Sequence, residues 1–134
     1  AVIYKKNIEH NISEIKKILD SNTKICVAVK ADGYGTSAVD TARVCENMGV
    51  DMLAVARVSE AKELREAGIT LPVLLLSLCS PEEFEDLYRY NIIPFIFGKN
   101  HISALDSVLD KIITDNEQKF HVHLFYYQCL SVHH

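Results

Sequence analysis

Apolar residues in this chain alternate between two spacings. Five short runs rich in β-branched and aliphatic residues recur at Ile25 to Val29, Met52 to Val55, Val73 to Leu76, Ile93 to Phe97 and Phe120 to Leu124, their starts 27, 21, 20 and 27 residues apart. Unbroken apolar character marks strands covered on both faces, as in parallel sheets. Between the runs the spacing becomes helical. Ile8, Ile12, Ile15 and Leu19 form one stripe; Val39, Ala42 and Cys45 a second; Val58, Ala61, Leu64 and Ala67 a third; Ile102, Leu105, Leu109 and Ile112 a fourth; Phe84, Leu87 and Tyr88 mark a shorter helix. Ser80-Pro81-Glu82-Glu83 reads as a helix start with a capping Ser, Pro at the first position and a reciprocal Glu, while Gly49 and Gly68 follow stripes as terminators.

The order is a helix, four strand–helix pairs and a fifth strand, which predicts an α/β fold with right-handed crossovers and a parallel sheet. Two architectures share it. A small doubly wound sheet fits 134 residues on length alone, whereas a complete (β/α)8 barrel needs about 250.

Composition narrows the partners. A net charge of −4 argues against nucleic-acid and anionic-membrane surfaces, which rely on clustered Lys and Arg. No apolar stretch approaches the length of a membrane span, and the N-terminal residues lack the apolar centre of a signal peptide. Cys26, Cys45, Cys79 and Cys129 have no paired spacing, which suits a reduced, cytoplasmic setting. The last fifteen residues carry no Asp, Glu, Lys or Arg and differ in kind from the rest.

Candidate chemistry concentrates in Val27-Ala28-Val29-Lys30-Ala31-Asp32-Gly33-Tyr34-Gly35-Thr36-Ser37. An apolar strand ends on Lys30, followed by a Gly-containing loop and a helix opening at Thr36 or Ser37. The C-terminal ends of parallel strands carry active sites, and a loop leading free N–H groups and a helix N-terminus to one point is a ready phosphate site. A desolvated lysine amine can attack an aldehyde, so lysine beside an anion site suggests pyridoxal phosphate. The phenol of Tyr34 can hydrogen-bond the phosphate. A strand-end lysine before Gly is also a common solvated charge, and Gly33 and Gly35 do not form a dinucleotide fingerprint.

The run from Val27 through VAVKADGYGTSAVDTARVCENMGVDMLAVARVSEAKELREAGITLPVLLLS resembles the N-terminal barrel domain of alanine racemase, with its VKA(N or D)xYGH motif around a Schiff-base lysine. The resemblance extends from near Ala1 to about Leu124. It implies a partial (β/α)8 barrel of about five parallel strands, with residues 1–124 the N-terminal part of a pyridoxal phosphate-binding barrel and 125–134 a non-matching tail. It further implies that Lys30 both holds the cofactor and acts as one of two bases interconverting L- and D-alanine, that Tyr34 contacts the cofactor phosphate, and that the full-length enzyme is a homodimer whose second base, a tyrosine, comes from the other subunit. Two departures stand out. Thr36 occupies the usual His position, and Leu124 is followed by Phe125-Tyr126-Tyr127-Gln128-Cys129 where the family continues HLKxDTGMxRxG. Such an end resembles a truncated gene or a shifted reading frame, and implies a chain inactive alone and prone to self-association. A non-catalytic pyridoxal phosphate-binding or small α/β binding domain is the competing function. His121 and His123 share a strand face, but the family-like sequence there needs no metal, and none is expected.

Overall fold

A computed structural model describes residues 5–95 and 98–115. Helix α1 (Lys5–Ile18) leads into β1 (Cys26–Ala28). A one-turn segment, Lys30–Gly35, then precedes α2 (Ala38–Asn47), β2 (Met52–Val55), α3 (Val58–Glu66) and β3 (Val73–Leu75). A 3-10 turn, Pro81–Glu83, runs into α4 (Phe84–Arg89), and β4 (Ile92–Ile93) and α5 (Lys99–Asp115) follow. The predicted strand Phe120–Leu124, with His121 and His123, and the tail 125–134 lie outside the described residues. Among the described residues, no helix is long and apolar enough to cross a membrane.

The four strands form one sheet in the order β1-β2-β3-β4, every neighbouring pair parallel. The doubly wound alternative is thereby corrected. A doubly wound sheet reverses its strand order at a switch point and carries helices on both faces, whereas here each strand lies beside its predecessor. Register aligns Val27, Leu53, Val73 and Ile92 in one row and Ala28, Ala54, Leu74 and Ile93 in the next. Leu53, Val73 and Ile92 are buried, and Val27 packs against the same core, which includes Val44, Cys45, Val58, Leu64 and Phe84 of the helices. In the other row Ala28 is exposed, Leu74 and Ile93 are only partly covered, and Ala54 is buried but outside that core. Among the described residues helices thus cover one face, the arrangement of a partial (β/α)8 barrel.

Local signals placed the elements. Ser80 donates its N–H to Glu83 at 2.9 Å, closing the predicted cap, and Gly49 and Gly68 end their helices at φ 64° and 82°. The fourth strand occupies Ile92–Ile93 where the run Ile93 to Phe97 was expected, of which Ile96 and Phe97 lie outside the described residues. Pro94 follows directly and has no N–H for the ladder, so regular pairing stops before it. Of the α1 stripe, Ile12 is buried but Ile15 is 44% exposed. Helix α1 is tied to α2 by Lys5–Asp40 at 2.8 Å and to the residues after it by Lys16, whose ammonium donates to the Met48 and Gly49 carbonyls.

Candidate active site

The backbone leaves the extended region at Val29, with φ −117° and ψ 16°, so Lys30 stands at the C-terminal end of β1. Val29 itself is fully buried, which fixes the strand end in the core. Lys30 is half-buried, and among the described residues its ammonium has no carboxylate or carbonyl partner.

The residues after Lys30 form a left-handed turn. Ala31, Asp32, Gly33 and Tyr34 have φ of 53°, 51°, 63° and 57°. Each non-glycine residue in that region costs about 1–2 kcal/mol, so the conformation persists only where its surroundings impose it. The Gly33 N–H donates to the Val29 carbonyl at 2.9 Å and the Thr36 N–H to the Gly33 carbonyl at 3.2 Å. The Thr36 hydroxyl contacts the Gly33 carbonyl and lies 3.0 Å from the Thr41 hydroxyl. Thr36, where the resembling family has His, therefore ties the turn to the first part of α2. Asp32 accepts the Ala38 N–H at 2.9 Å.

A carboxylate from the adjacent βα unit completes the frame. Glu60, in the first turn of α3, accepts the Ala31 N–H at 2.9 Å through one oxygen. Its other oxygen accepts the Ala56 and Arg57 N–H groups at 2.8 and 3.0 Å. Burial pushes its pKa up, but the three N–H groups and the Arg57 charge outweigh this and hold the carboxyl below its usual range. Sequence reasoning missed Glu60. Arg57 occupies the capping position, so no Ser/Thr–Glu pair signals the helix start, and Ala31 lies 29 residues away.

Lys30 and Tyr34 share this turn, and Tyr34 is 64% exposed. An unpaired amine and a solvent-facing phenol fit the demands of pyridoxal phosphate, which needs an attacking amine and donors for its phosphate. Two of the N–H groups at the start of α2 are taken within the chain, that of Ala38 by Asp32 and that of Asp40 by the Ser37 hydroxyl at 3.3 Å. The chain's own side chains thus cap part of this helix start.

On α4, Glu85 pairs with Arg89 and Asp86 with Lys62 of α3. Burial raises the thiol of Cys45 to about 11, leaving it protonated at neutral pH.

Comparison with known proteins converges on one family. The family pattern described as "Alanine racemase, N-terminal domain" matches residues 3–126. An alanine racemase of Treponema denticola is 44% identical over 124 residues, covering 92% of this chain and 32% of the relative. One from Desulforamulus reducens is 49% identical over 90 residues, 67% of this chain and 24% of the relative. The solved alanine racemase of Clostridium difficile 630 in complex with cycloserine superposes with a TM-score of 0.81 at 36% identity, covering 89% of this chain and 31% of that structure. The chain thus spans about a third or less of the length of these relatives.

Proposed function

Since the chain belongs to the alanine racemase N-terminal domain family, we propose that it is the part of a pyridoxal phosphate-dependent amino-acid racemase that carries the cofactor lysine, Lys30. The observation that carries this reading is the unpaired Lys30 amine at the β1 end, in a turn whose strained backbone is held by Glu60, Asp32 and Thr36. When bound, pyridoxal phosphate supplies the conjugated ring that makes an amino acid's α-proton acidic. Lys30 Nζ provides the amine that attaches the cofactor and, once free, moves the α-proton on one face of the substrate. The Tyr34 hydroxyl donates a hydrogen bond to the phosphate. Alanine is the substrate that the names of the relatives favour, and a cytoplasmic homodimer is the assembly expected of the full-length enzyme.

The opposite-face base and the remaining phosphate ligands implied by the family resemblance are not among these 134 residues. Catalytic groups that act as a unit lose function together, so the chain alone should make D-alanine at least about 1,000-fold more slowly than a full-length relative. Binding and turnover are separated by titrating the chain and its Lys30→Arg variant with pyridoxal phosphate, followed by a D-alanine assay. We expect a saturable visible band in the parent only, with negligible D-alanine. An equal band in the variant would overturn the assignment of Lys30.

A further inference from the structure

We propose that Glu60 is a positioning residue for Lys30, its carboxylate fixing the peptide plane that joins Lys30 to Ala31. This rests on the reading of Lys30 as the cofactor-bearing residue. The Ala31 N–H belongs to the same peptide unit as the Lys30 carbonyl, so anchoring it fixes ψ of Lys30 and φ of Ala31 together. That φ is 53°, a conformation an alanine adopts only under constraint. The constraint comes from a different βα unit, through a side chain only 11% exposed.

Capping α3 does not require this contact. The bonds from Ala56 and Arg57 already satisfy the helix start through one oxygen. The second oxygen reaches across to the lysine turn, joining the ends of β1 and β2 at the candidate site. Only a carboxylate accepts all three N–H groups without presenting a donor of its own. A glutamine offers one carbonyl oxygen and one NH2. Retaining two bonds is favoured over retaining one, so its oxygen should stay with Ala56 and Arg57 and its NH2 should face the Ala31 N–H. The substitution Glu60→Gln therefore releases the lysine turn while preserving the helix cap, which separates positioning from general stability.

Two readouts on the 134-residue chain test this: residue-resolved amide hydrogen exchange without cofactor, and borohydride trapping of added pyridoxal phosphate with mapping of the modified lysines. In the parent, the Ala31 amide should be protected at least about 100-fold despite the exposure of its residue, because exchange requires breaking its bond to Glu60. In Glu60→Gln, Ala31 exchange should accelerate at least about tenfold while Ala56 and Arg57 change less than about twofold. The share of trapped adduct at Lys30, relative to Lys24 and Lys62, should fall at least about fivefold, since an unheld backbone loses its preorganisation. Unchanged Ala31 exchange and unchanged Lys30 selectivity in the variant overturn the inference, even with Lys30 labelled in both. Absence of Lys30 label in the parent overturns the cofactor reading instead, and the exchange arm alone then decides whether Glu60 holds the turn. Should the variant not fold, an unprotected Ala31 amide in the parent is the overturning result.

Discussion

At Gly33 the lysine turn leaves no room for a side chain. An added Cβ would lie 2.9 Å from the Thr36 hydroxyl and 3.2 Å from the Ala38 nitrogen, at a φ of +63°. Gly33→Ala should therefore cost about 1–3 kcal/mol, read as a lowered urea midpoint at unchanged slope. Glu60 gives a pH signature. Its folded pKa lies below the ordinary 4.5, so its stabilisation is fully present above that value and is lost as the pH falls through the depressed one. Acidification below 4.5 should lower the urea midpoint of the parent more than that of Glu60→Gln. A larger drop in the variant would contradict the hydrogen-bonding assigned to Glu60. Sequence made Lys30 and Tyr34 legible because a strand end and a Gly-containing loop are local signals. The left-handed path was not, since Ala31, Asp32 and Tyr34 have no intrinsic preference for it and adopt it through bonds to Glu60 and α2.

Among the elements, α3 carries the joint that holds successive βα units together. Arg65 donates to the carbonyls of Ile69 and Leu71 before β3 and of Tyr90 and Asn91 before β4, at 2.7–3.1 Å. Replacing its planar fork with a single ammonium leaves carbonyls without their donor. Arg65→Lys should destabilise the chain by about 2 kcal/mol, measured by urea unfolding, and a change below about 0.5 kcal/mol would mean that these bonds are replaced by water. The helix periods were legible because they reflect burial on one face and the strands because their apolar runs are unbroken, and β2 and the capped turn at Ser80 fall where the pattern puts them. Arg65 was not, because its partners are backbone carbonyls on other elements, which no side-chain pattern encodes.

For the whole molecule, the strand order, with helices on one face only among the described residues, decides between the two architectures that share this sequence pattern. The other face presents exposed Cys26 and Ala28 and partly covered Met52, Leu74 and Ile93, with Leu78 62% exposed beyond β3. Uncovered apolar surface of this kind drives association. Sedimentation velocity on the 134-residue chain should show a concentration-dependent rise above the monomer value, and a monomer at all concentrations would mean that the face is covered within the chain. The proposed function stands on Lys30 as the amine to which pyridoxal phosphate attaches. Its most direct test is the peptide map of the chain after one equivalent of pyridoxal phosphate and borohydride reduction: the account predicts the phosphopyridoxyl mass predominantly on the peptide containing Lys30, and a label spread evenly over the lysines, or absent from Lys30, would contradict it.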